Sequence, residues 1–212
     1  MNGNRAVGVA LVPLLGLMGC ESGSDPTTQA PNRLQPSPDR SSELVLGPDG
    51  LGAVKFGADP EMVIHRLNQQ FGPPDEDSGY IPSFSVFGTC PGEKVRGVRW
   101  KSLLVLFTDG ATDFGRQGRR HFFEYRDQLF VTSGGSTGSL GLTTAEGIGL
   151  GSTVADLRAA YGDRLEISPH SLPGDVPRFT VEVDTGQLSG TLTGARRTDS
   201  VHAILGGFGC GE

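Results

Sequence analysis

One short pattern in the sequence has the spacing of a nucleophilic site: Gly134, Ser136 and Gly138 fit G-x-S-x-G. This pattern places a serine nucleophile on a tight turn between a strand and a helix. Here the serine lies in a low-complexity run of Ser, Gly and Leu from 133 to 141, and no helix is predicted until near Thr153. We therefore interpret the segment as a linker and rank hydrolase activity third among the possible functions.

Residue types that bind metals or phosphates are scattered along the chain. The four histidines are His65, His121, His170 and His202. No two of them have the i, i+4 spacing of a zinc-binding pair on one helix. The acidic run 75–77 lacks the alternating ligands and the glycine of a calcium loop. The glycines at 147, 149 and 151 lack the spacing and the lysine of phosphate loops. The sequence therefore predicts no cofactor, no metal and no catalysis.

Residues 17–20, Leu-Met-Gly-Cys, resemble the lipobox that a bacterial lipoprotein signal peptidase recognises. Arg5 and an apolar run over 6–17 precede them, and that run has the length of a signal peptide rather than of a bilayer span. The resemblance implies removal of residues 1–19 and lipid attachment to Cys20. Because acyl chains hold a protein at a membrane, we expect an extracytoplasmic lipoprotein of the cell envelope. The alternative is an ordinary secretory signal with a chance cysteine.

The segment 20–42 that follows is rich in Ser and Pro and contains one leucine. It has too little apolar surface to offset the entropy of ordering it, so it is predicted to be a disordered tether. The whole chain carries a formal net charge of −6. An acidic chain is a poor match for nucleic acid, which we exclude as a partner.

Cys90 and Cys210 are the cysteines that remain once Cys20 is assigned to lipid. Thiols in an oxidising compartment pair, so the sequence predicts a disulfide between them. The alternative, a metal or nucleophile role, is weakened because neither cysteine belongs to a CxxC pair or stands beside a histidine.

Two segments, 52–72 and 147–162, share a glycine-rich turn, a helix and a closing glycine. Asp59 is a natural cap for the first helix and Thr153 for the second. Strand signals follow at 95–108, 121–131, 178–183, 187–193 and 201–205. The sequence therefore predicts an α+β fold of two tandem repeats, 43–132 and 133–212, each a short helix packed on a small antiparallel sheet.

This order of capped helix, terminal glycine and antiparallel strands behind an export signal resembles two families. They are the small periplasmic lipoproteins of the SmpA/OmlA type and the tandem-repeat β-lactamase inhibitory proteins. Both act by binding another protein and neither catalyses a reaction, so the resemblance implies a binding role. No partner-contact motif maps onto a numbered position, and no functional residue is carried over.

Arg116, Arg119 and Arg120, with His121, concentrate positive charge between two predicted strands of an otherwise acidic chain. Such a loop is suited to steering an acidic partner or contacting anionic lipid headgroups, both effects being screened by salt. These arginines are the strongest site hypothesis that the sequence offers. The alternative is a solvated hairpin loop.

Trp100 and Phe107 stand at an odd spacing on one predicted strand, which points them to opposite faces. One of the two would then be exposed for recognition, and we include Trp100 among the predicted partner-binding residues. The alternative is that both are buried between sheet and helix.

These features together predict a non-catalytic protein-binding or scaffold module on a lipid anchor, with an envelope or secreted protein as partner. The alternative is a small-ligand carrier or sensor with a site between the repeats. A flat sheet surface with exposed aromatic residues favours the binder. An apolar cleft lined by convergent polar groups favours the carrier.

Overall fold

The computed structural model describes residues 44–132, 135–168, 176–207 and 209–211. All of them belong to one compact unit, Pro38–Glu212. The predicted signal peptide, Cys20 and the tether lie outside the described residues. Within the described ranges, no helix has both the length and the apolar character needed to cross a bilayer.

The described residues form fourteen strands. In chain order these are β1 (Leu46–Gly47), β2 (Gly50–Leu51), β3 (Val54–Lys55), β4 (Glu76–Asp77), β5 (Ile81–Ser85), β6 (Gly88–Trp100), β7 (Leu103–Thr108), β8 (His121–Gln128), β9 (Val131–Thr132), β10 (Gly135–Ser136), β11 (Leu165–Ser168), β12 (Arg178–Val183), β13 (Gly186–Leu192) and β14 (Val201–Gly207). Nine of these strands make one antiparallel sheet in the order β11-β12-β13-β14-β8-β7-β6-β4, with β5 also paired to β6. The remaining strands form two small sheets, β1-β2-β3 and β9-β10.

The two helices of the described chain begin where local capping signals predict. Helix α1 (Pro60–Phe71) starts at Asp59, whose carboxylate accepts from the backbone N–H groups of Glu61 and Met62. Helix α2 (Val154–Tyr161) starts at Thr153, which forms a reciprocal capping box with Asp156. Each cap satisfies N–H groups that the first helical turn leaves unpaired.

The predicted fold of two α+β repeats is wrong. Strands account for 47% of the described residues and helices for 15%, so antiparallel sheet dominates the architecture. Strand β14 pairs with β8 through Ala203–Gly207 and Glu124–Gln128, which joins strands from both sides of residue 132 into one sheet. Local patterns located the segments, but the partner of each strand is decided by contacts between residues far apart in sequence.

Both helices pack on the same face of the large sheet and share one apolar core with it. Buried residues of α1, of α2 and of four central strands form this core, and they include Val63, Leu67, Val154, Leu157, Val98, Val105, Tyr125 and Ile204. The residues on β1, β2 and β3 close the same core from the amino-terminal side. The helix-bearing face therefore carries the main apolar core of the protein.

The opposite face is covered over only part of its width. Strand β6 bends near Gly92, which has φ 83 and would place a Cβ 2.3 Å from the backbone nitrogen of Gly110. The tip of the β5–β6 hairpin folds back, and a Cβ on Gly97 would lie 2.3 Å from the ring of Phe87. This arrangement makes a second, smaller apolar cluster under the hairpin and leaves the β13–β14 side of the face open.

Candidate functional site

The predicted arginine loop connects β7 to β8 and presents Arg116, Arg119 and Arg120 as exposed side chains. None of the three takes part in an ion pair with a described carboxylate. The guanidinium of Arg120 stacks over the Tyr80 ring at 4.0 Å from its centroid, and Arg119 donates through Nη2 to the Gly57 carbonyl at 3.2 Å. Two of the three guanidinium groups are therefore held in place by uncharged partners.

Buried His121 fixes the base of the arginine loop. Its Nδ1 lies 2.7 Å from the carbonyl of Arg119 and its Nε2 lies 2.7 Å from the hydroxyl of Thr112. A carbonyl only accepts, so Nδ1 carries a proton and donates it to the Arg119 carbonyl, while Nε2 is in hydrogen-bond contact with the Thr112 hydroxyl. Gly115 allows this packing, because a Cβ at that position would be 2.5 Å from the imidazole. The loop is thus an ordered support for its arginines.

Trp100 is not a surface residue in this fold. Only 2% of it is exposed, and its indole N–H lies 3.0 Å from the Gly72 carbonyl and 3.2 Å from the Asn68 side-chain oxygen. Trp100 and Phe107 share the helix-bearing core because the predicted single strand is two strands, paired Trp100 to Leu103 across a tight turn at Lys101. The turn reverses the chain, so their odd spacing does not separate them between faces.

The remaining sequence candidates occupy structural positions. Ser136 lies on the small β9-β10 hairpin rather than on a strand-to-helix turn, and Gly134 lies outside the described residues. A Cβ on Gly149 would meet the Leu142 carbonyl at 2.6 Å, so this glycine serves a close backbone approach. His65 contacts Gln69 on the surface of α1, His202 is exposed on β14, and His170 lies outside the described residues. No cluster of three or more metal-binding side chains occurs among the residues that the structure describes.

The acidic run 75–77 is engaged by two arginines of β6. Asp77 lies 2.6 Å from Arg96, Glu76 lies 2.7 Å from Arg99, and Asp75 lies 3.6 Å from Arg99. Hydrogen bonds from Arg99 and Arg96 lower the pKa of Glu76 and Asp77 respectively. These carboxylates fasten β4 to the sheet edge.

A pocket of about 370 Å³ opens between β1–β3, α2 and β12. Its lining combines an apolar floor with polar groups, and it includes Leu46, Val181, Leu188, Thr144, Glu146 and Tyr161. The hydroxyl of Tyr161 lies 2.7 Å from Thr144 Oγ1 and 3.1 Å from Glu146 Oε2. Burial raises the pKa of Tyr161 to about 12, so the phenol stays protonated at neutral pH. The pocket has the composition of a small-molecule site.

Two charged residues of β8 that the sequence reasoning missed lie on the opposite face of the sheet. Glu124 is 1% exposed, and its carboxylate accepts from Arg126 Nε at 2.5 Å and from the Cys210 backbone N–H at 2.9 Å. Burial raises the pKa of Glu124, and the Arg126 charge partly offsets that effect. The available signal was their i, i+2 spacing within one predicted strand, which places both on one face.

The predicted disulfide is confirmed. The Sγ atoms of Cys90 and Cys210 are 2.11 Å apart, and the bridge spans 120 residues of sequence. It fixes the carboxyl-terminal segment 209–211 beside the start of β6, where Thr89 and Gly211 also exchange two backbone hydrogen bonds.

No family model, no curated protein and no solved structure matches this chain. The resemblance to SmpA/OmlA-type lipoproteins and β-lactamase inhibitory proteins therefore stays a prediction from local sequence patterns.

Proposed function

We propose that this chain is an envelope lipoprotein, anchored through Cys20 at the extracytoplasmic face of a membrane, whose folded part binds an acidic surface of another protein without catalysis. The anchor is inferred from residues 5–20 alone. The binding role is supported chiefly by the arginine loop, which carries three exposed guanidinium groups with no carboxylate partner in the described residues.

An ordered arginine loop suits recognition better than a mobile one. A side chain that is already held in place loses less conformational entropy when a partner binds. Arg120 on Tyr80 and Arg119 on Gly57 keep most of their N–H donors available for a carboxylate, because a ring face and one carbonyl occupy few of them. Charges of this kind act mainly on the association rate and on its dependence on salt.

The test is affinity capture from an envelope extract, followed by rate measurements with the captured protein. Replacing Arg116, Arg119 and Arg120 together by Ser is expected to slow association about tenfold or more and to flatten its salt dependence. A matched control variant removes the same charge at exposed Arg66, Arg158 and Arg197. Equal association rates for the two triple variants would exclude the loop as the contact.

A second candidate function is a small-ligand carrier, favoured by the pocket of about 370 Å³ beside Tyr161. Native mass spectrometry of the lipid-free protein, after incubation with an extract of its own envelope, would show a bound mass. Substituting Leu188, which lies on the pocket floor, by Phe is expected to reduce that bound fraction by filling the space. An unliganded mass in both proteins would remove the carrier hypothesis.

A further inference from the structure

A cleft of about 800 Å³ lies on the open face of the large sheet, opposite the helices. Strands β8, β13 and β14 form its floor, and its walls are the hairpin tip 85–88 and the carboxyl-terminal segment 209–211. None of the three loop arginines lines it. The cleft is therefore a site separate from the arginine loop.

Cross-links hold both walls of the cleft to its floor. The disulfide from Cys90 and the Glu124 carboxylate fix the segment at Cys210, and Arg126 donates through Nη2 to the Phe87 carbonyl at 3.1 Å in the hairpin tip. The two walls adjoin each other, since Thr89 and Gly211 exchange backbone hydrogen bonds. One ion pair thus fastens both walls, because Glu124 and Arg126 also bind each other. A preformed cleft spends little binding free energy on ordering itself.

The lining of the cleft contains one acidic residue, Glu124, and two basic residues, Arg178 and Arg126. Arg126 gives the floor its charge preference. Its Nε and Nη2 atoms are engaged by Glu124 and Phe87, which leaves Nη1 without a hydrogen-bond partner among the described residues. The Arg126 side chain is 20% exposed and the Glu124 side chain is 1% exposed. The guanidinium group therefore faces the cleft, while the carboxylate is covered. A carboxylate is the complementary ligand for the open edge of a guanidinium group.

The rest of the lining suits an extended peptide. Val86 on the rim is 89% exposed, and Leu205 and Ala203 lie on the floor as further apolar contacts. Ser189, Thr191 and Gln128 add hydrogen-bonding side chains along the same floor. Apolar and polar groups lie side by side on this floor, which suits an extended peptide whose every second side chain faces the floor and includes both kinds.

We propose that this cleft binds an extended acidic peptide segment of a partner protein, with one carboxylate on Arg126 and an apolar side chain against Val86 and Leu205. The proposal rests on the protein-binding role proposed above. Because the arginine loop and the cleft share no residue, variants in one site leave the other intact and their failures are distinguishable.

The experiment titrates two synthetic peptides into the full, disulfide-bonded, lipid-free chain and follows its backbone amides by NMR. The acidic probe is Ac-Val-Ser-Asp-Ser-Val-amide, which in an extended conformation places its Asp and both Val side chains on one face. The neutral probe replaces the Asp by Asn. The expected result is saturable shifts at Gln128, Ser189 and Thr191 with the acidic peptide, and binding about twofold to fivefold weaker with the neutral one. Equal affinities, or shifts only outside the cleft, would overturn the proposal.

Rim variants test the site without disturbing the fold, since Val86 is almost fully exposed. Val86→Lys is expected to strengthen binding of the acidic peptide about twofold to fivefold and Val86→Glu to weaken it by the same factor. The matched controls are Val131→Lys and Val131→Glu, at a residue that is 91% exposed and does not line the cleft. Equal effects at Val86 and Val131 would show general charge attraction and contradict a cleft site.

Vesicles of phosphatidylglycerol provide the last arm of the experiment. If they shift the cleft amides and the acidic peptide does not, the surface recognises a membrane and the peptide proposal is wrong. If the peptide binds in the cleft while the arginine-loop triple variant retains partner association, the cleft proposal is supported and the arginine-loop proposal is wrong.

Discussion

The indole N–H of Trp100, on the last residue of β6, lies 3.0 Å from the carbonyl of Gly72 at the end of α1. The Gly72 carbonyl belongs to a helix end whose acceptors have no partner within the helix. Trp100 therefore does two things from one buried position: it fills the core under α1, and it satisfies a helix-end acceptor that faces the sheet.

We predict that Trp100→Phe destabilises the fold without changing surface recognition. The substitution keeps an aromatic ring but removes the donor to Gly72 and Asn68, which lowers the free energy of unfolding by about 1 to 3 kcal/mol. Urea unfolding followed by circular dichroism measures this change. A Trp100→Phe protein with unchanged stability but lost partner binding would contradict the buried structural role.

The helix boundaries were predictable because their signals are local. Asp59 followed by Pro60, and Thr153 followed by Asp156, place a side-chain acceptor next to unpaired N–H groups within one turn. The strands β12, β13 and β14 were also anticipated, since they follow one another along the chain and each pairs with the next in sequence.

Pairing between distant strands was not predictable from the same patterns. The β14–β8 pairing places Leu205 opposite Arg126. No local pattern in either strand identifies the other strand as its partner. The cleft depends on a similar long-range event, because the bend at Gly92 has to bring Phe87 onto Gly97. A glycine permits such an approach but does not identify the ring that makes it.

The disulfide is predicted to be a major source of stability. Replacing Cys90 and Cys210 together by Ala is expected to lower the free energy of unfolding by about 2 to 5 kcal/mol, because the bridge constrains a long loop of the unfolded chain. Chemical denaturation of both proteins measures the difference. Non-reducing peptide mapping of the exported protein provides the covalent check, and two freely alkylatable thiols would contradict the pairing.

Lipid attachment at Cys20 is predicted from the lipobox-like residues 17–20. Metabolic labelling with a clickable fatty acid is expected to mark the chain, and the labelled protein should fractionate with membranes. The Cys20→Ala variant is expected to lose both the label and the membrane association. The control variant Cys90→Ala should keep both, because Cys90 is bonded to Cys210 and is not the predicted lipid site. Label that persists on the Cys20→Ala chain would contradict the assignment.

Asp127 is a buried carboxyl group on the helix-bearing side of β8, and the described residues offer it little compensation. The residue is fully buried, and neither carboxylate oxygen has a well-formed hydrogen bond to a described group. Burial raises the pKa of Asp127, and the nearby Ser102 hydroxyl offsets only part of that effect. Asp127 is therefore a place where the fold tolerates an unfavourable polar group in its core.

The direction of the resulting pH dependence follows from the raised pKa. A carboxyl group that holds its proton more tightly in the folded state contributes fully to stability below the unfolded pKa, about 3.9, and that contribution is lost as pH rises through the folded pKa. The contribution of Asp127 to the free energy of unfolding should thus fall between about pH 4 and the folded pKa of this residue.

We predict that Asp127→Asn removes this loss and stabilises the protein by about 1 to 3 kcal/mol at neutral pH, because the amide carries no charge to desolvate. The measurement is the difference in unfolding free energy between variant and parent, taken by urea denaturation from about pH 4 to pH 8. That difference should be smallest at the acid end and grow as the pH rises. Asp113→Asn, at an exposed carboxylate, is the matched control and should show no such growth. A difference that stays constant across the pH range, or that favours Asp127 at neutral pH, would mean that the carboxylate is ionised and solvated in the folded protein.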